Sequence, residues 1–307
     1  MQLATFTFLG FRGTADFAIA SFDVSEVIVS GSIFLLSTPL KFKHFCVIFD
    51  HFEKIDNLVS SVCVEEIRKR SKLIQWFLML YLPFLYIVDL FMWGNNSWEG
   101  LNNYFAFYIL YTIIIVHEVQ YWLFVTLIQA RILAVDTYLR KGLKRGISKE
   151  CIDSTVTSYT HITQTIEDVN KCFNISSSMI ILSTYLHLVI CPYELFVFMT
   201  SNETSFFNYV HFFWIFFQTS RLLVILEVCH RLEKQVQSFK RFVIFLMLGG
   251  FVDNKDQLKT LVLIVIKRKV RLSAYALPKI NRSLLVSILS SISTYWMILM
   301  LFSAITF

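Results

Sequence analysis

The sequence predicts an all-α bundle of helices that crosses a lipid bilayer several times, and three observations carry that expectation. Apolar residues make up 56% of the 307 and charged residues only 16%, whereas soluble domains carry about 25% charged residues. Mean hydropathy is +0.60. The apolar residues fall in long continuous runs, not in the period-two alternation of a membrane barrel strand, so helices are favoured. Nine Gly and four Pro leave little material for turn-rich β structure.

A bilayer core needs about 20 mostly apolar helical residues. Taken in chain order, the first candidate covers 18–37 and carries Asp23 and Glu26. A charge at the bilayer centre costs about 2.5–3.5 kcal/mol. Either the membrane-embedded part begins after Glu26 and tilts, or the segment is out of place in this chain. Stronger candidates follow at 73–93, 104–129, 176–199, 206–230 and 284–307. Two apolar runs, 242–252 and 261–266, are too short to span and read as buried or interfacial parts of a cytosolic bundle. Gly249 and Gly250 are expected to end the first run, and Lys267, Arg268 and Lys269 the second. The start, MQLATFTFLGFRGTADF, lacks a basic region ahead of a clean apolar core, so no cleaved signal peptide is expected.

Charge sets the orientation. Segments 38–72, 130–172 and 232–279 hold seven, seven and ten of the 28 basic residues, while 94–103 and 200–205 hold none. Positive charge stays on the cytoplasmic side, so the long basic segments are inside and the C-terminus is outside. Sequons at Asn95 and Asn202 lie in expected outer loops and are glycosylation candidates, although two more, at Asn174 and Asn281, fall on the inner side. Trp93, Trp98 and Tyr104 cluster where an outer aromatic belt belongs. The formal charge of +6 is thus a topology signal, with no nucleic-acid partner expected.

Six cysteines form no C-x-x-C pair, so neither a disulfide framework nor a zinc site is indicated, and no cofactor or metal is expected. His117-Glu118-Val119-Gln120-Tyr121 lacks the second histidine of a zinc-protease helix. With no hydrolase elbow, phosphate loop or kinase set, an enzyme is not expected. An outward C-terminus, no acidic-Arg-Tyr triplet and no N-P-x-x-Y argue against a G-protein-coupled receptor.

Ionisable residues within spans invite a functional reading. They are Asp89, His117, Glu118, His187, Glu194, His211, Arg221 and Glu227. Arg221 and Glu227 also fit a structural role, pairing with a neighbouring helix or reaching the inner surface. His187 and Glu194 are seven apart and share a helix face. Tyr104, Tyr108, Tyr111, Tyr193 and Trp214 lie in outer halves of spans. Together with His187 and Glu194 they are candidates for an aromatic pocket holding a small organic ligand, each with packing as its competing role.

Residues 281–302 read NRSLLVSILSSISTYWMILMLF. This resembles the C-terminal signature of the insect gustatory receptors, in which an Asn and paired leucines open the last helix and Thr-Tyr, five hydrophobic residues, Gln and Phe follow. Thr294, Tyr295, Trp296 to Met300 and Phe302 match; Leu301 replaces the glutamine. Similar passages are HFEKIDNL at 51–58, QARILAVDTYL at 129–139 and EDVNKCF at 167–173. The resemblance covers 18–307. It implies six of that family's seven helices, with the first missing or replaced by the N-terminal stretch.

It further implies a plasma-membrane subunit of a homo- or heterotetrameric, ligand-gated, non-selective cation channel in the dendrite of a chemosensory neuron. A small-molecule tastant would open it. The last helix would line the pore, with Leu301 and Phe302 near its narrow part and Thr294 and Tyr295 below them. Segments 130–172 and 232–279 would form a cytosolic anchor. The rival readings are an odorant receptor of the same superfamily, a non-conducting accessory subunit or fragment, and a membrane transporter.

Overall fold

Glu26 and Pro39 do not interrupt the first helix. In the computed structural model, α1 runs unbroken over Thr14–Leu58. It is followed by α2 (Trp98–Arg145), α3 (Lys149–Thr200), α4 (Phe207–Leu248), α5 (Lys255–Lys267) and α6 (Arg282–Thr306). The structure describes residues 14–59, 98–200, 207–249, 255–268 and 282–306, with 72, 75, 76, 80, 83, 84, 86, 87, 270, 272 and 280. Within the helices, side chains at 14–23, 98–107, 193, 194, 196–200, 207–211, 255, 299, 300 and 302–306 are not described. Most of the expected 73–93 span and both sequons, Asn95 and Asn202, lie outside the described residues.

The long helices outrun the bilayer. α2 has 48 residues, α3 52 and α4 42. At 1.5 Å per residue even α4 is ~63 Å long, about twice the hydrocarbon thickness. Each apolar span and its basic extension are therefore one continuous rod. The apolar run expected at 242–252 is, as far as Leu248, the tail of α4, and Gly249 follows in a turn with its N–H on Phe245 O at 2.9 Å. The run 261–266 lies inside α5, which ends at Lys267. Leu261 and Val265 face the core from it, while Leu263 and Ile266 are exposed.

Among the described residues, Val24–Leu58, Tyr108–Arg145, Lys149–Pro192 and Phe212–Leu248 are long and apolar enough to cross a membrane. At 25 residues, or ~37 Å, α6 also has the length. Large apolar side chains lie bare outside the bundle: Leu36 72%, Leu40 79%, Phe216 64% and Val286 67% exposed. A soluble monomer does not carry apolar patches on this scale.

α3 is the central post, packed against α1, α2, α4, α5 and α6. Its start is tightly drawn. α2 stops at Arg145, and Gly146 takes a left-handed φ of 86°, which favours glycine after a helix end. Ser148 Oγ then accepts the Cys151 N–H at 3.2 Å as an N-cap, with Glu150 in the first turn. A Cβ on Gly142 would lie 2.7 Å from Cys151 Sγ, so the glycine sets the spacing of the two rods.

Aromatic and charged side chains lock the inner half. Tyr159 of α3 stacks on Phe239 of α4 at 5.3 Å. Arg131 of α2 lies over Phe52 of α1 at 3.9 Å and donates to Asp56 at 2.6 Å. Arg268, after α5, donates to Thr163 Oγ1 on α3 at 2.7 Å.

His117 has a structural task. Pro39 has no N–H to give Leu35 O and its ring crowds that turn, and the carbonyl next to it, Phe34 O, is drawn into side-chain bonds. Phe34 O receives Thr38 Oγ1 at 2.8 Å and His117 Nε2, from α2, at 3.1 Å. The carbonyl can only accept, so Nε2 carries the proton.

Candidate functional site

Where α2, α3 and α4 meet, the sequence places an unusual mixture of rings and charge. Tyr108, Tyr111 and His187 are buried and Trp214 is half-buried. Trp214 meets Tyr111 edge-on at 5.4 Å, and His187 lies 6.4 Å from Tyr111 between ring centres. Tyr86, from the partly described segment before α2, lies 4.5 Å from Tyr108 and shares a 3.0 Å hydrogen bond with Thr112. Three of the seven sequence-derived pocket residues, Tyr111, His187 and Trp214, are thus brought together, while Tyr108, one turn before Tyr111 on α2, packs on Tyr86. Tyr104, Tyr193 and Glu194 are on α2 and α3, but their side chains lie outside the described residues.

The base of this cluster is an ion pair. Arg221 Nε donates to Glu118 Oε2 at 2.9 Å, and Nη2 donates to Oε1 of the same carboxylate. Nη1 donates to Tyr111 Oη and to Gln218 Oε1, each at 2.6 Å. Gln218 Nε2 closes the ring by donating to Tyr111 Oη at 2.9 Å. The guanidinium thus meets a carboxylate side-on with its planar fork, the geometry in which arginine binds best. The sequence reading had Glu118 and Arg221 as intramembrane charges but did not place them in the pocket. Their opposite signs on two separate spans were the available signal; the register that pairs them was not.

Two polar residues from other helices adjoin. Glu26 of α1 accepts from Ser30 Oγ at 2.8 Å and from Ser183 Oγ of α3 at 3.1 Å. It lies within electrostatic reach of Arg221. One turn further along α3, His187 Nδ1 donates to Ser183 O at 2.8 Å. Glu26 is therefore held inside the span by hydroxyls, and α1 does not need to begin beyond it.

The predicted gate residues stand apart, on α6. This helix packs on α3 and α4, with Tyr185 and Ser291 sharing a 2.8 Å hydrogen bond. Its foot is fixed by Glu227, which accepts from Arg231 at 2.7 Å on one oxygen and from Arg282 at 2.7 Å on the other. Thr294 Oγ1 bonds back to Ser290 O at 3.0 Å. Tyr295 and Leu301 are 51% and 59% exposed. Phe302 is helical, but its side chain is not described. Among the described residues, no group of three or more His, Cys, Asp or Glu is arranged to hold a metal.

A family model described as 7tm chemosensory receptor matches residues 24–304. The chain belongs to that family. Of curated proteins, the gustatory receptor for sugar taste 43a of Drosophila melanogaster is 28% identical over 158 residues, which is 49% of this chain and 36% of that receptor. The match therefore spans little more than a third of the relative's length. Of solved structures, the insect olfactory receptor OR5 from Machilis hrabei superposes with a TM-score of 0.68 at 12% identity, covering 95% of this chain and 83% of that one. The same receptor in complex with eugenol gives 0.59 at 13% identity, covering 91% and 88%. At such identities the likeness establishes the fold: a multi-pass helical bundle of the insect chemoreceptor type. The chain is a multi-pass membrane protein of the chemosensory receptor family.

Proposed function

We propose that this chain is one subunit of a cation channel that small organic molecules open, with four subunits around one pore. The observation that carries the reading is the cluster of Tyr111, His187 and Trp214 over the Glu118–Arg221 pair, in a chain of the chemosensory family. Aromatic walls with a few fixed polar groups suit an organic ligand. A ligand opens a gate only by binding the open arrangement more tightly than the closed one. Tyr111 and Arg221 tie α2 to α4, and α4 carries Glu227, which holds the foot of α6. A ligand that shifts this register biases α6. In this reading Thr294, Tyr295, Leu301 and Phe302 face the pore, and 130–172 with 232–279 form the cytosolic anchor.

Two branches of the superfamily remain in play. The odorant reading has the more extensive match, an olfactory receptor over 95% of this chain, although at 12% identity that likeness speaks for architecture. The gustatory reading rests on Thr294-Tyr295 with Phe302 and on a 28% match over half the chain to a receptor named for sugar taste. Expression in cells without other receptors, alone and with partner subunits, followed by sugars and volatile aromatics with current recording, separates them. Currents to sugars support the gustatory branch and currents to volatiles the odorant branch. Silence to both panels at full surface expression argues for an accessory subunit.

A further inference from the structure

Glu26 is a carboxylate inside an apolar helix, and its described partners are two neutral hydroxyls, Ser30 and Ser183. Hydroxyls orient a carboxylate without cancelling its charge. The cation within reach, Arg221, already spends its fork on Glu118 and its remaining contacts on Tyr111 and Gln218. Glu26, Glu118 and Arg221 together set two carboxyl groups against one guanidinium. An ionisable group held at membrane depth is costly, which makes it a functional-site candidate.

Its surroundings point to a ligand class. Glu26 reaches the aromatic cluster through Ser183, whose carbonyl holds His187, and His187 faces Tyr111, which meets Trp214. A carboxylate joined through Ser183 and His187 to a cluster that includes the half-buried Trp214 offers an organic ammonium an ion pair at one end and an aromatic contact at the other, the Tyr111 ring already lying under Arg221. A neutral ligand gains nothing from the charge. We infer that Glu26 is a specificity-determining residue of the candidate pocket and selects ligands bearing a protonated amine. This rests on the proposed ligand-gated reading.

The competing role is a helix strut joining α1 to α3, and the choice of variant separates the two. Glu26→Gln keeps one oxygen to accept from Ser30 or Ser183 and turns an NH2 toward the oxygen of the other hydroxyl, so the strut can persist without the charge. The probes are primary aryl- and alkylamines, 2-phenylethylamine among them, each matched with the alcohol of the same skeleton. Currents are recorded at equal surface expression. In the natural sequence the amines are expected to be the more potent. In Glu26→Gln their half-maximal concentration should rise about tenfold or more, the worth of one charge-assisted contact, while the alcohols keep theirs. An equal loss for both series, or no change in either, overturns the inference. Should Glu26→Gln fail to reach the surface, the natural sequence still decides. Gating by alcohols but not by their amines overturns the amine selectivity and leaves the channel reading standing. Silence to both series in an assembled channel counts against the two together.

Discussion

Arg221 of α4 and Glu118 of α2 form a side-on ion pair sealed inside the bundle, with side chains 6% and 8% exposed. Breaking a buried pair by removing one partner costs about 3–5 kcal/mol, because the other charge stays buried, whereas replacing both by apolar residues is far milder. Arg221→Met or Glu118→Gln alone should lower the melting temperature of the detergent-purified protein and its surface level. Glu118→Leu with Arg221→Met should recover much of both. A double variant as unstable as the single ones would mean that the pair does more than neutralise itself.

Gly142 and Cys151 set the spacing of α2 and α3. The 2.7 Å approach of Cys151 Sγ to a Cβ at position 142 leaves no room for a methyl group. Gly142→Ala should destabilise by about 1–3 kcal/mol, the usual range for overpacking. Cys151→Ala in the same chain should restore part of that, by removing the sulfur. Thermal melts of the single and double variants check the coupling.

His51 of α1 and His161 of α3 face each other with their Nδ1 atoms 3.1 Å apart. Such a contact needs one nitrogen to donate and the other to accept, so at least one ring is neutral. Asp168 lies 3.9 Å from the far nitrogen of His51 and is itself bonded by Lys171, while Asp50 and Lys54 flank the pair from α1. Acid that protonates both rings sets donor against donor and opens the joint. Burial, with the charge of His51 and Lys54 nearby, holds the His161 ring below the ordinary histidine range, so the α1–α3 contact should hold at neutral pH and loosen only as pH falls below that range. Hydrogen exchange around His51, compared with that in His161→Asn, should show the acid-dependent opening only in the natural sequence.

Leu301 occupies the position where the resembling signature has glutamine, and it is exposed on α6. An apolar ring at a narrow pore resists wetting. Leu301→Gln should raise agonist-evoked current at equal surface expression. An unchanged or smaller current would count against placing this residue at the constriction.

Orientation has its own test. With the basic segments inside, a tag after Phe307 should be labelled on intact cells, and Asn95→Gln and Asn202→Gln should each remove one glycan from the protein on a gel. Labelling of the tag only after permeabilisation would reverse the topology.

The sequence by itself determined the class and the chemosensory superfamily, but not the gustatory or odorant branch within it. Long apolar runs cannot stay in water, lipid forces them to satisfy their backbone as helices, and the Thr294-Tyr295 signature survives as a local string. It also marked Tyr108, Tyr111, His187 and Trp214, because depth along a span can be counted from its ends. Tertiary structure decided which charge meets which. Glu118 and Arg221 are 103 residues apart, and Glu26 and Ser183 are 157 apart. Only the rotation and register of α1, α2, α3 and α4 against one another bring these groups together. Register is set by packing summed over whole helix faces, which no single stretch of sequence spells out.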